Sequence, residues 1–370
     1  MKRVLIALVG VGLVVTLAAC GGGSGNNRAD TIYILGPEPG SGSVNQAGTI
    51  AEKEVAEINA DGTYKAEYLS ATTGEEQNSL VTNIISKKKN AAGVVFIALD
   101  DDAQSGQEAL IEAEIPLVTY DKSFDGPKQS AVLNFSGNDL LVGAGMAYWL
   151  QTQGMKPGDT LVVLSGSDSA KNDRRMEGFS RFLLGDLQYT DKLTALSVST
   201  TQAWKQPQID ALLAGFECQC ESNNDKVSEY LTQNLSDIVS ASQDSKRLFV
   251  VTMDDDMVFG ILDTFDSSSL TTETKKSFEA LNVSVVSVGG MQELFDVMTG
   301  TDPQAETAST YFDNLATMWY SPMMVSTAIN YLMTYLTIEQ WPYGVGANEF
   351  EQTYVVDGQR ASSIQGYAGR

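Results

Sequence analysis

The chain has 370 residues, enough for about two domains at roughly 150 residues each, with cores large enough to need no disulfide staples. Its 24 Lys+Arg stand against 47 Asp+Glu, a net charge of −23; nucleic acid, which needs clustered cations, is excluded as a partner, and strongly anionic ligands are disfavoured. With zero histidines the chain can build no Ser-His-Asp or Cys-His device, no His-containing zinc site and no imidazole proton shuttle.

Lys2 and Arg3 precede the uncharged apolar run from Val4 to Ala19, which is shorter than the ~20 residues of a spanning helix and fits a secretory signal. Leu17-Ala18-Ala19-Cys20 resembles the bacterial lipobox, in which a cysteine after small residues receives lipid and becomes the mature N-terminus. A Gly/Ser/Asn segment, Gly21 to Asn27, follows at once and reads as a flexible tether. The expectation is a signal peptide at 1–19, a lipid-anchored tether at 20–30 with Cys20 as attachment site, and an extracytoplasmic body held to a bacterial membrane by lipid only.

The body alternates strand and helix signals. Thr31–Leu35 reads as a strand that runs into a Gly/Pro loop, and Val44, Ala47, Ala51, Val55 and Ile58 then recur at helical spacing. A strand near 65–69, a helix near 76–90, a strand at 93–99, a helix near 103–114 and a strand at 116–120 complete a first block. A second block starts after the strand at 131–135. It has helices near 139–153 and 172–184, strands at 160–165, 248–252 and 283–288, and a last helix near 322–337. This periodicity predicts an α/β fold of two doubly wound parallel-sheet lobes. Residues 215–247, polar and rich in Ser, Asn and Asp, read as an elaboration on the second lobe.

No stretch matches a catalytic motif. Gly36 to Ser43 is a glycine-bearing loop after the first strand, without the Lys-Ser/Thr of a P-loop or the spacing of a dinucleotide fingerprint. It is either a plain turn or a ligand loop at a strand's carboxyl end. Cys218 and Cys220 leave three readings open: a local disulfide, a soft-metal pair or no role. The flanking Glu217 and Glu221 argue against an activated nucleophile, because nearby acids raise a thiol's pKa.

Four segments carry a family resemblance. Ile115 to Lys122 (IPLVTYDK) resembles the IPVVTxDR strand of the periplasmic sugar-binding proteins of the ribose/galactose type, the solute receptors of ABC importers. Gly93 to Asp100 (GVVFIALD) resembles their GIIIxPxD strand, Asn172 to Phe179 (NDRRMEGF) their AxxRxxGF helix, and Val250 to Gly260 their xNDxMAxGA segment. The order and spacing match over essentially the whole mature chain.

The resemblance implies a type I periplasmic binding protein: two lobes joined by a hinge, with ligand in the cleft between them. Three crossings would divide the chain into residues 31–136 plus 321–352 and residues 137–320 plus 353–370. It also implies ligand-binding roles, residue by residue. Asp121 matches the aspartate that accepts from two sugar hydroxyls, and Lys122 replaces a usual arginine. Arg175 matches the cleft arginine by its spacing to Gly178-Phe179, with Arg174 as the open alternative. Asp254 stands where asparagine is usual, Trp204 where an aromatic stacks on the sugar, and Tyr320 where glutamine is frequent. Ser43 lies in the first ligand loop. The segment Val285 to Gly290 departs from the pattern and lacks a ligand-binding aspartate.

The expected function is therefore a non-enzymatic one, without cofactor or metal. A monomer captures a neutral sugar or polyol and delivers it to an ABC permease. The alternative is a receptor of the same fold that presents a sugar or autoinducer-type ligand to a membrane sensor kinase. A repressor role is excluded, because the secretion signal occupies the place of a DNA-binding helix-turn-helix.

Overall fold

The computed structural model describes residues 30–40, 43–87, 89–122, 124, 133–339, 348–351 and 353–367, with backbone alone at 43–44 and 348–351. Cys20, the signal segment and all but the last residue of the tether lie outside the described residues. No helix among the described residues is long and apolar enough to cross a membrane.

The first lobe grows from β1 (Thr31–Pro37), which is buried at every position, as a strand covered on both faces must be. Next come α1 (Ser43–Asp61), β2 (Lys65–Ala71), α2 (Gly74–Ser86), β3 (Ala91–Ile97), α3 (Gln104–Glu112), β4 (Leu117–Tyr120) and β5 (Leu133–Gly137). The β2 strand sits at the sheet edge and exposes alternate positions, whereas β3 and β4 are buried throughout. Ala47, Ala51 and Ile58 of α1 cover one face of the sheet, while Val81 and Ile84 of α2 and Leu110 of α3 cover the other. The two separate cores are those of a doubly wound lobe.

The chain then enters the second lobe through α4 (Asp139–Thr152), β6 (Thr160–Ser165), α5 (Ser169–Leu184) and the hairpin β7 (Tyr189–Asp191) and β8 (Leu196–Val198). It continues with α6 (Gln206–Leu213), β9 (Phe216–Gln219), α7 (Asn224–Ala241), β10 (Arg247–Thr252), α8 (Asp256–Asp266), α9 (Thr272–Glu279), β11 (Asn282–Gly289), α10 (Gln292–Thr299), α11 (Ala305–Tyr311) and β12 (Asn314–Trp319). Then α12 (Met324–Ile338) returns to the first lobe, where Val325, Ala328, Ile329 and Leu332 join its core, and β13 (Asn348–Glu351) pairs with β5. Finally β14 (Val355–Asp357) and α13 (Gly358–Ala361) complete the second lobe.

The first sheet has the order β13-β5-β4-β3-β1-β2, and every pairing in it is parallel. The second has the order β14-β12-β11-β10-β6-β9, parallel except where β14 runs against β12. The α/β class and the doubly wound sheets are thus as the periodicity predicts.

The structure departs from expectation at three points. Residues 215–247 are no surface elaboration: β9 pairs with β6, and α7 buries Val227, Leu231, Leu235 and Ile238 at helical spacing. Beyond the expected strand at 283–288 lies a further parallel strand that the periodicity does not mark, β12. The helix expected near 322–337 begins after Pro322, at Met324, and is not the last, since α13 follows it. Of the three readings of the cysteine pair, the structure has the disulfide, Cys218–Cys220. Among the described residues no cluster of acids and cysteines could hold a metal ion.

Candidate functional site

Both sheets turn their carboxyl strand ends toward one cavity of about 210 Å³, the position where open α/β sheets bind ligands. The first lobe contributes Ile97 to Leu99 after β3 and Tyr120 to Lys122 after β4. The second contributes Gly166 to Asp168 after β6, Ser222 after β9, Met253 and Asp254 after β10, Gly289 of β11 and Tyr320 after β12. Its lining carries ionisable groups of both signs, Asp121, Asp168 and Asp254 with Lys122, Lys171 and Arg175.

Asp121 is the node between the lobes. Its backbone is left-handed, φ 67°, a conformation aspartate tolerates better than most residues, and its N–H donates to Phe135 O at 2.8 Å. This turn carries the carboxylate off the end of β4 and toward the second lobe. There Lys171 Nζ donates to Oδ2 and Tyr320 Oη to Oδ1, each at 2.5 Å. Burial pushes the Asp121 carboxyl up, but Lys171, Tyr320 and Arg175 outweigh it and hold the group below the usual carboxylate range. An ionised carboxylate has about four acceptor positions, so two remain for a ligand.

Arg175 is fixed by helix packing. Gly143 of α4 and Gly178 of α5 let the two helices touch backbone to backbone. A Cβ on Gly143 would lie 1.7 Å from Arg175 O, and one on Gly178 would lie 1.9 Å from Leu140 O. That approach seats Arg175 against Asp139, whose Oδ1 accepts from Nε at 2.7 Å, while an Nη donates to Met253 O at 3.0 Å. The guanidinium lies 5.0 Å from the centre of the Tyr320 ring, a cation–π distance. Tyr320 packs against both lobe cores and donates its N–H to Gly289 O at 2.7 Å. Arg174, the alternative cleft arginine, instead pairs with Glu177 on the surface.

The run Asp254-Asp255-Asp256 divides its labour. Asp255 is fully buried and structural: it accepts from Ser287, from Thr317 at 2.7 Å, and from the N–H groups of Gly290 and Met291 at 2.6 and 2.9 Å. Asp254 lines the cavity, and its carboxylate accepts locally from Asp256 N–H at 3.1 Å. Burial, together with Asp256 and Asp255, pushes its carboxyl up to about 7.

Five of the predicted ligand residues therefore meet at the cavity: Asp121, Lys122, Arg175, Asp254 and Tyr320. Lys122 stands there with its Nζ 2.7 Å from Asp101 Oδ1. Ser43 opens α1, and its side chain lies outside the described residues. Trp204 does not belong to the cavity. It is 5% exposed, in the core of the second lobe, with its backbone N–H on Leu183 O at 2.8 Å. The reason is local: Lys205 caps α6, so Trp204 and Ile209 occupy the two positions of a hydrophobic staple, and both are core residues.

Sequence reasoning missed Lys171, Asn172, Ser222 and Tyr367, all of which line the cavity. Asp168 had a legible signal, as an N-cap type ahead of a helix; its Oδ1 accepts from Lys171 N–H at 3.1 Å. Asn172 clamps Gly166 from both sides, accepting from its N–H at 3.3 Å and donating to its O at 2.9 Å.

Comparison with known proteins gives a family and a fold. The family described as "Periplasmic binding protein domain" matches residues 32–340. No curated protein matches the chain. Among solved structures, the myo-inositol binding protein of Caulobacter has a TM-score of 0.61 at 15% identity, covering 92% of this chain and 97% of its own. The periplasmic binding protein of the arabinose ABC transporter from Shewanella sp. ANA-3 has 0.59 at 16% identity, covering 90% and 93%. An ABC transporter solute binding protein from Mycobacterium smegmatis with bound glycerol has 0.58 at 17% identity, covering 92% and 98%. At these identities the likeness is one of fold.

Proposed function

The chain belongs to the periplasmic binding protein domain family, and on that premise we propose that it captures a neutral monosaccharide or related polyol between its lobes and delivers it to an ABC permease. The observation that carries this reading is the inter-lobe cavity lined by groups of both signs, with Asp121 held ionised in its wall and two of its acceptor positions still open. Hydrogen bonds from hydroxyls to an ionised carboxylate contribute roughly 1.5–3 kcal/mol each, enough to select a polyol over an apolar solute. A net charge of −23 keeps anionic solutes away.

Lys122, Arg175, Asp254, Tyr320 and Ser43 complete the proposed ligand set, with Arg175 and Tyr320 acting as a pre-packed wall rather than as mobile hooks. Hinged units at 31–136 plus 321–352 and at 137–320 plus 353–370 close on the ligand, and Cys20 carries the lipid that keeps the protein at the membrane. Myo-inositol, arabinose and glycerol, the compounds bound or transported by the structural neighbours, support the same class.

A thermal-shift screen of uncharged pentoses, hexoses, inositols and glycerol against phosphorylated and carboxylated sugars tests this. A neutral compound should raise Tm, since a ligand at 100 times its Kd adds about 2.7 kcal/mol. The shift should depend little on salt. A response to charged compounds alone would contradict the proposal.

A further inference from the structure

Tyr367 reaches the cavity from the far end of the chain. Its N–H donates to Gly290 O at 3.1 Å, its O accepts from Gln292 N–H at 2.8 Å, and the preceding Gly366 N–H donates to Gln292 Oε1 at 2.9 Å. This short bridge to Met291 holds the segment beside the end of β11. The residue is 4% exposed and lines the cavity with Asp254, Val288 and Gly289, yet its hydroxyl has no hydrogen-bond partner among the described residues. A buried hydroxyl without a partner is costly and uncommon, and a ligand that supplies the partner removes the cost.

Gly289 makes the room. Its φ is 154°, and a Cβ there would lie 2.6 Å from Asp255 Oδ2 and 3.0 Å from Tyr367 Oη. The hydroxyl thus stands over the glycine, in space that a side chain at 289 would fill. Asp255 Oδ2 is already occupied by two N–H groups.

We propose that Tyr367 is a ligand-binding residue of the second lobe, its hydroxyl donating to an oxygen of the bound polyol while Asp254 beside it accepts from the same region of the ligand. Burial, with Asp255 and Asp254 nearby, pushes the phenol well above its ordinary value, so it stays protonated and donates. A neutral donor beside a carboxyl group matches a hydroxyl-bearing carbon and gives a deoxy position no partner.

The inference rests on the neutral-polyol reading, and Tyr367→Phe separates the two because it removes one oxygen and keeps the ring. The probe is the tightest binder among D-ribose, L-arabinose, D-galactose, myo-inositol and glycerol, titrated calorimetrically into wild type and variant alongside its monodeoxy analogues. The expected result is an affinity loss of about three- to tenfold for the parent compound. One analogue, lacking the partner oxygen, should bind both proteins equally, and the ligand-free Tm of Tyr367→Phe should stay the same or rise. Equal affinity of both proteins for the parent compound would overturn the inference alone and assign the space to water. So would a ligand-free Tm that falls by several degrees, since the hydroxyl would then be structural. If none of the five binds wild type, the polyol reading fails and this inference fails with it.

Discussion

Asp121→Ala is expected to lower affinity for the captured polyol by about ten- to hundredfold while leaving the fold in place. The carboxylate accepts from Lys171 and Tyr320 and keeps positions for ligand hydroxyls, and a charged acceptor is worth roughly 1.5–3 kcal/mol. Its removal also leaves Lys171 Nζ and Tyr320 Oη, both from the second lobe, without the acceptor that joins them to the first. The side chains of Lys171 and Asp121 are 21% and 27% exposed, so water can replace the lost pair, and the ligand-free Tm should change little. Calorimetric titration and melting of the variant decide this. Unchanged affinity would place the ligand elsewhere.

The second large effect is on stability. Trp204→Ala removes a core indole and should cost about 3–5 kcal/mol, a fall in Tm of roughly 10 °C for a lobe of this size. Affinity at a temperature where the variant is still folded should match wild type, because Trp204 touches the second lobe's core and not the cavity. The opposite pattern, a retained Tm with lost affinity, would return Trp204 to the cleft as a stacking platform.

That residue shows where sequence reading reaches its limit. Trp204 is drawn into the site by family spacing alone, whereas the capping pattern of Trp204-Lys205-Gln206-Pro207-Gln208-Ile209 marks a helix start with an apolar staple. Lys205 N–H in fact donates to Gln208 Oε1 at 2.8 Å. Strands such as β1, β3 and β6 are legible because both of their faces are covered, which makes them continuous apolar runs. By contrast β9 (Phe-Glu-Cys-Gln) lies at an edge and alternates, so a short polar stretch conceals it. The strand β12 contains Asn314 and Thr317, and the latter is buried only because Asp255 accepts its hydroxyl.

Half of the site follows the same logic. Asp121 and Asp254 are readable through the family resemblance, and both stand just past the carboxyl end of a strong strand, β4 or β10, where α/β proteins place their ligand groups. Lys171 and Tyr367 carry no such mark. One is an ordinary lysine in the first turn of α5, and the other sits on a segment that reaches the cavity only through its pairing with Met291. Within Asp254-Asp255-Asp256 the sequence is silent about which carboxylate goes inward, because that choice is made by donors from β11, β12 and the turn after Gly289.

A crystal structure of the protein grown with the tightest-binding neutral sugar or polyol tests capture between the lobes directly. One ligand molecule is expected between the lobes, its hydroxyls on Asp121 and beside Asp254 and Arg175, with Trp204 still in the core. A ligand bound on the outer surface of either lobe, with the Asp121–Lys171 pair intact and no hydroxyl on Asp121, would contradict it.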